Sequence, residues 1–204
     1  MWRRLLLIGV VFILLGATGD AFLMLMVKSD RALTPQSGQA LIVFMRPKPS
    51  FGRKFLTDDS GEIISIHDVT SSETKFVGVL ERSTKICYDV APGEYTFMVY
   101  GEAADYMKAT VSAGKTYYAV LWPRTGFTKA RFSFQPLRRS DLADEEFSQW
   151  NSGTFLVKNT PKSEEWAKKE AEKIEKKHMK YWPDWTNLSL ETRNTMTLDS
   201  EDGI

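Results

Sequence analysis

Cysteine and histidine are scarce in this sequence, which limits the chemistry that it can support. The single cysteine, Cys87, has no partner for a disulfide within the chain. The two histidines, His67 and His178, lie far apart, and neither has neighbours at the spacing of a zinc ligand set. We therefore expect neither a metal nor a cofactor.

An excess of one charge is also missing. Lysine and arginine number 27 against 26 aspartates and glutamates, which gives a formal net charge of +1. Because nucleic-acid-binding proteins depend on a basic excess, this balance predicts no nucleic-acid partner. The 204 residues, 43% of them hydrophobic, are enough for one ordinary domain with extensions.

A recognisable catalytic set is absent as well, so we expect a protein that is not an enzyme. A nucleophilic Cys87 would need a base and an orienting group, and the sequence spacing indicates no residue for either role. The alternative is a hydrolase whose groups converge only in three dimensions, with Asp58, Asp59 or Glu62 acting beside His67. These three carboxylates are too closely spaced for a calcium loop of the EF-hand type and favour a solvated turn, although the sequence leaves metal binding there open.

Residues 1–27 contain the one long hydrophobic segment, and they predict export. Two arginines precede an apolar run, which small residues such as Ala17 and Gly19 follow, in the order of a secretory signal. Read without cleavage, residues 5–27 predict an N-terminal hydrophobic helix of 23 residues, which is long enough to cross a bilayer. A cleaved signal peptide and a membrane anchor both stay open, with the anchor favoured.

Either alternative places the rest of the chain outside the cytoplasm, because basic residues before an apolar segment stay inside. An anchored protein would lie on the periplasmic side of the inner membrane, and a cleaved one in the periplasm or outside the cell. Gly9 and Gly16 share one face of the hydrophobic helix. They suggest a further alternative, in which the chain is a subunit of a larger membrane assembly.

Residues 39–137 predict the folded body, after a polar linker at 28–38. Short runs alternate between apolar and polar side chains, turn signals separate them, and no helical pattern intervenes. We therefore predict a mainly β domain, an antiparallel β-sandwich of about eight short strands. The predicted strands fall within residues 40–45, 63–69, 75–81, 86–90, 95–100, 107–112, 116–122 and 130–136.

Two of the connections predict tight hairpins. Residues 85–100 hold two alternating runs around the sequence APGE. Pro92 fixes its own φ there, and Gly93 can adopt the positive φ that a type II turn requires. The second hairpin centres on Gly114, between the next two runs.

Four segments of the body share a pattern: ALIVFMRPKPSFG, KFVGVL, YDVAPGEYTF and SAGKTYYAVL. The pattern is an apolar strand ending in Arg-Pro, a Pro-Gly-x-x-Thr hairpin and a Gly-Lys-x-Tyr-Tyr strand. It resembles a family of bacterial envelope domains of unknown function, often borne on lipoproteins, that fold as a small transthyretin-like or carboxypeptidase-regulatory-like sandwich. The resemblance implies a fold and a compartment but no activity, and this chain lacks the cysteine that carries the lipid in the lipoprotein members.

Residues 138–183 predict a helical extension of the body. A short helix at 140–150 would be capped by Ser140 or Asp141, with acidic residues in its first turn. Its apolar side chains, which would contact the sandwich, are Leu142, Phe147 and Trp150.

A longer helix is predicted at 164–180, with Ser163 as its N-cap and Pro183 after its end. Glutamates four residues before lysines support it through favourably oriented pairs. The remaining residues, 184–204, predict a polar tail that is mostly irregular and loosely held.

Three aromatic residues beside Pro183 form the candidate interaction surface: Tyr181, Trp182 and Trp185. They either pack the helix end on the sandwich or form an exposed apolar contact patch. With the export signal, they predict a non-enzymatic envelope protein, membrane-tethered or secreted, whose sandwich is a binding module. The N-terminal segment would contact the membrane, and the partner would be an envelope protein or a wall polymer.

Overall fold

The computed structural model describes residues 25–48, 63–124 and 131–204. Most of the predicted hydrophobic helix lies outside these ranges, as do Asp58, Asp59 and Glu62, and so do Gly9 and Gly16. Within the three ranges, no helix is both long and apolar enough to span a membrane.

The described chain forms two β-sheets, whose strands are numbered in chain order. The first sheet has six strands, in the spatial order β1 (Met26–Lys28), β10 (Phe155–Asn159), β5 (Thr84–Val90), β2 (Ala40–Arg46), β8 (Thr116–Arg124) and β9 (Arg131–Pro136). The second has five, in the order β11 (Thr197–Leu198), β7 (Ala104–Val111), β6 (Gly93–Tyr100), β3 (Ser65–Asp68) and β4 (Lys75–Val79).

Both sheets are mixed, which corrects the prediction of an antiparallel sandwich. β10 runs parallel to β5, β2 parallel to β8, and β11 parallel to β7, while the other pairs are antiparallel. The mainly β character is confirmed, with eleven strands in the described residues instead of about eight. Each parallel pair joins strands that are distant in the sequence, and local patterning carries no information on such partners.

The main core lies between the two sheets. β2 contributes Ile42 and Phe44, which are fully buried, and β6 contributes Phe97 and Val99 from the opposite sheet. The rings of Phe44 and Phe97 meet edge-on with their centroids 5.0 Å apart. Alternate residues of each strand therefore point into a shared apolar layer, as the predicted period of two requires.

Both predicted hairpins are wrong in their pairing. β5 lies in the first sheet between β10 and β2, whereas β6 lies in the second sheet between β7 and β3. The link through Pro92 and Gly93 therefore crosses between sheets, and Gly93 has a φ of 152°, far from the value of about 80° in a type II turn. β7 and β8, on either side of Gly114, are likewise in different sheets. β6 pairs instead with β7, which follows it in the chain.

The first helix, α1 (Glu145–Ser152), covers the outer face of the first sheet. Phe147 packs edge-on against Tyr118 at 4.9 Å between ring centroids, and Trp150 against Trp122 at 5.3 Å. These contacts, together with that of Leu142, confirm the predicted apolar side of this helix. A 3₁₀ turn at Asp141–Ala143 precedes α1, so the N-cap is Asp144 instead of the predicted Ser140 or Asp141.

The long helix α2 (Pro161–Thr186) lies on the outer face of the second sheet. Its N-cap is Thr160, and Ser163 occupies the third helical position of a reciprocal capping box, which corrects the prediction that Ser163 is the cap. Pro183 lies inside the helix, not after it. The helix continues through this proline because Trp185, one half-turn later, is buried against the second sheet.

The predicted loose tail is folded, which is a further correction. It contains the end of α2, a third helix α3 (Leu190–Thr195) and β11. The Arg138 guanidinium donates hydrogen bonds to the carbonyl oxygen of Thr197 and to the carboxylate of Asp202, both at 2.7 Å. The last residue, Ile204, exchanges two backbone hydrogen bonds with Thr116.

The folded domain begins earlier than the predicted linker. Met26 is buried in the core between the sheets, and β1 pairs with β10. The hydroxyl of Thr160 donates to the carbonyl oxygen of Leu25 at 2.8 Å. Residues 25–27, which the sequence reading assigned to the hydrophobic segment, therefore belong to the domain.

Candidate functional site

A cleft of about 360 Å³ opens where the C-terminal end of α2 meets the second sheet. We call it the α2–α3 cleft. Parts of β7, β8, β9, α2 and the segment around α3 form its wall. The lining residues are Ala104, Asp105, Tyr106, Arg124, Arg131, Tyr181, Asp184, Trp185, Leu188, Thr192 and Met196.

Aromatic side chains form one wall of this cleft. Trp185, only 3% exposed, packs against Tyr106 at 5.7 Å between ring centroids and stacks on Trp182 at 5.2 Å. Tyr106 and Trp182 also meet edge-on at 5.2 Å. Trp182 and the neighbouring Tyr181 are half-buried. The structure thus brings the three predicted aromatic residues together, with Tyr181 and Trp185 lining the cleft and Trp182 supporting it from behind.

Hydrogen bonds fasten α2 to the floor of the cleft. The hydroxyl of Tyr106 lies 3.0 Å from Nδ1 of His178 and donates to the carbonyl oxygen of His178 at 3.1 Å. Burial raises the pKa of Tyr106 and lowers the pKa of His178, so both side chains are neutral at neutral pH. His178 is therefore a packing residue that holds the helix in register with β7.

Charged side chains form the opposite rim. Nη2 of Arg124 lies 2.8 Å from a carboxylate oxygen of Asp105. Burial raises the pKa of Asp105, and the attraction of Arg124 opposes that rise. Arg131 is the cross-strand partner of Arg124, at the position where β8 ends and β9 begins. Asp184 lies on the α2 side of the cleft and is exposed.

The size and lining of the cleft are those of a small-ligand site. Pockets for small ligands have volumes of about 300–1,000 Å³ and combine aromatic walls with a few polar groups, and this cleft lies at the lower end of that range. Its described lining contains no histidine or cysteine that could act as a base or a strong nucleophile. The lining combines an apolar wall, in which Tyr181 is more exposed than Tyr106 and Trp185, with an ion pair and two further charges.

The other candidate catalytic residues lie away from the cleft. His67 is 2% exposed, accepts or donates a hydrogen bond with the Ser65 hydroxyl at 2.9 Å, and lies between the rings of Phe76 and Tyr100. Burial lowers its pKa to about 3, so it is a neutral structural residue. Burial likewise raises the pKa of Cys87 to about 11, which leaves an unreactive thiol.

Metal binding finds no support in the described ranges. They contain no group of three or more histidine, cysteine, aspartate or glutamate side chains that could hold an ion. Asp58, Asp59 and Glu62, the carboxylates that the sequence left open, lie outside these ranges.

Sequence reasoning missed the charged half of the cleft. Asp105, Arg124 and Arg131 are separated by up to 26 positions and meet only because β7 and β9 flank the same edge of the two sheets. The predicted strand at 107–112 begins after Asp105, and only the structure places this carboxylate within a strand, β7.

The comparisons with known proteins leave the family open. No protein-family model matches the chain, and no curated protein matches it. The resemblance to envelope domains therefore stays a prediction.

Proposed function

We propose that this protein is a non-enzymatic binding module of the cell envelope and that the α2–α3 cleft is its binding site for a wall polymer. The module is either tethered to the periplasmic side of the inner membrane or released into the periplasm or beyond. The observation that carries the proposal is the lining of the cleft, in which Tyr181 and Trp185 face a rim of charged side chains.

The chemistry of the lining supports a carbohydrate-containing ligand. Aromatic side chains bury the apolar faces of sugar rings, while carboxylate and guanidinium groups exchange hydrogen bonds with hydroxyl and acidic substituents. The wall around Tyr106 is held by aromatic contacts and by the hydrogen bonds to His178, so a ligand would meet a pre-formed surface.

The direction of α2 supports a ligand remote from the membrane. Thr160, at the start of the helix, bonds to Leu25, where the chain enters the domain. Trp185 lies 25 residues further along α2, a rise of roughly 37 Å at 1.5 Å per residue. In an anchored protein the cleft would therefore open at the end of α2 away from the bilayer, toward the wall.

Co-sedimentation with purified, insoluble cell wall tests this function. The full chain, kept in non-ionic detergent, should pellet with the wall, and Tyr181→Ala should lose most of that binding. The matched control is Met179→Ala, which removes an exposed side chain of the same helix outside the cleft lining. Thermal unfolding of each variant checks that it is folded.

Two results would contradict the proposal. One is a full chain that stays in the supernatant at every wall concentration. The other is equal pelleting by the native chain and by a folded Tyr181→Ala protein, because binding would then occur outside the cleft.

A further inference from the structure

Two opposite charges line the α2–α3 cleft without an ion-pair partner among the described residues. Arg131, at the start of β9, and Asp184, on α2, are both exposed and both belong to the lining. Among the described residues, no carboxylate oxygen lies within 4.0 Å of the Arg131 guanidinium, and no side-chain cation lies within 4.0 Å of the Asp184 carboxylate. The cleft thus presents a cation on one wall and an anion on another.

The position of Arg131 favours an added anion. Arg131 and Arg124 are directly opposite on neighbouring antiparallel strands, and like charges in that position repel. Asp105 compensates Arg124 through the 2.8 Å ion pair, which leaves the charge of Arg131 uncompensated by the described residues. A guanidinium without a compensating carboxylate can form two parallel hydrogen bonds to the carboxylate or phosphate group of a ligand.

The position of Asp184 favours hydrogen-bond donors. It lies next to Trp185 and one helical turn from Tyr181, so its carboxylate borders the aromatic wall. An ionised carboxylate only accepts hydrogen bonds. A hydroxylated ligand that covers the aromatic wall would therefore place its hydroxyl groups where they can donate to Asp184.

We propose that the cleft binds a small hydroxylated acid, whose oxyanion is held by Arg131 and whose hydroxyl groups donate to Asp184. This inference rests on the proposed function and specifies it, because it assigns the ligand to the acidic units of the wall polymer. The shared chemistry is an oxyanion on a hydroxylated body. Its source is either a carboxylate-bearing sugar or a phosphate-bearing polyol.

Titration calorimetry of the full chain in non-ionic detergent tests the inference with three probes. N-acetylmuramic acid and N-acetylglucosamine share a sugar ring and differ by the lactyl carboxylate, and glycerol 3-phosphate carries a phosphate on a polyol. We expect at least one acidic probe to bind about tenfold more tightly than N-acetylglucosamine, as one charge-assisted contact provides. The acid that binds identifies the source of the oxyanion.

Substitutions assign the contacts. Arg131→Gln should weaken the acidic probe about tenfold and leave N-acetylglucosamine unchanged, whereas Arg131→Lys should retain part of the preference. Asp184→Asn should weaken the sugars through their hydroxyl groups. Arg139→Gln, which removes an exposed arginine outside the cleft lining, is the control and should change nothing.

The outcomes separate this inference from the proposed function. Equal binding of acidic and neutral sugars, unaffected by Arg131→Gln but lost in Tyr181→Ala, would overturn the role of Arg131 and keep the cleft as a binding site. Tight acid binding that survives Arg131→Gln would overturn the assigned contact. Absence of binding by all three probes, in a chain that also fails to pellet with the wall, would overturn both proposals.

Discussion

The hydroxyl of Tyr106, on the second sheet, lies 3.0 Å from Nδ1 of His178, on α2. This pair fixes the long helix on the sheet close to the point where Trp182 and Trp185 pack on the Tyr106 ring. The α2–α3 cleft exists because the helix end is held there. Loss of the hydrogen bonds should therefore affect both stability and binding.

Tyr106→Phe tests this relationship. The substitution keeps the ring but removes the hydroxyl that donates to the part-buried carbonyl oxygen of His178 and contacts Nδ1, so we expect the free energy of unfolding to fall by about 1–2 kcal/mol. Urea unfolding provides the measurement. The control is Tyr95→Phe, which removes a solvent-exposed hydrogen bond to Ala91 and should cost less than about 0.5 kcal/mol. Equal losses in the two variants would contradict the account.

The pairing errors show what local sequence can and cannot predict. The alternation in β5 and β6 predicted one buried face for each strand, and Ile86, Val90, Phe97 and Val99 lie in the core. It could not show whether the two strands lie side by side or face each other across the core, because both arrangements bury the same side chains. The turn at Pro92 and Gly93 permits either arrangement. The arrangement is set by the strands that pair with each of the two, and all of these lie outside residues 84–100. They are β10 and β2 for β5, and β7 and β3 for β6.

The same limit applies to the cleft. Tyr181 and Trp185 could be predicted because neighbouring aromatic residues on one helix stand out in the sequence. Asp105 and Arg131 could not, because their proximity depends on the stacking of two sheets whose edges meet only in the folded chain. Local patterning therefore found the wall built by one helix and missed the wall built by three strands.

His67 should make stability depend on pH. Its pKa is lowered from about 6.5 in the unfolded chain to about 3 in the folded one, because burial disfavours the charged ring. The unfolded chain therefore takes up a proton first as the pH falls. Well above pH 6.5 the ring is neutral in both states, so this group should not affect the free energy of unfolding there. At pH 5 it should lower the free energy of unfolding by about 2 kcal/mol.

Urea unfolding at pH 7.5 and pH 5 measures this effect. His67→Gln cannot take up the proton, so its stability should decline less between the two pH values, even if it is lower at both. His178 contributes in the same direction and remains in both proteins, so the comparison isolates His67. A parallel decline in the two proteins would contradict a buried neutral His67.

The thiol of Cys87 should be unreactive in the folded protein. With its pKa raised to about 11, roughly one thiol in a thousand is ionised at pH 8. We expect Ellman's reagent to react slowly with the native chain and rapidly with the chain unfolded in urea. Fast labelling of the native protein at pH 8 would contradict the raised pKa of this half-buried thiol.

Gly203→Ala should show that the C-terminal segment is part of the fold. A Cβ atom at Gly203 would lie 2.6 Å from the ring of Tyr117, whose hydroxyl donates to the carbonyl oxygen of Ser200. Relief of this clash should lower the free energy of unfolding by about 1–3 kcal/mol. Glu201→Ala, at an exposed neighbouring side chain, is the control. Unchanged stability of Gly203→Ala would mean that the segment packs loosely.

The central claim is that the α2–α3 cleft binds fragments of the wall polymer, and the indole N–H signals of the tryptophans test it most directly. Substitution to phenylalanine assigns the signals of Trp185 and Trp182 beside the cleft and of Trp122 and Trp150 under α1. Addition of soluble wall fragments to the ¹⁵N-labelled full chain should shift the first two and leave the second two in place. Unchanged signals at Trp185 and Trp182 under saturating fragments, or larger shifts at Trp122 and Trp150, would contradict the claim.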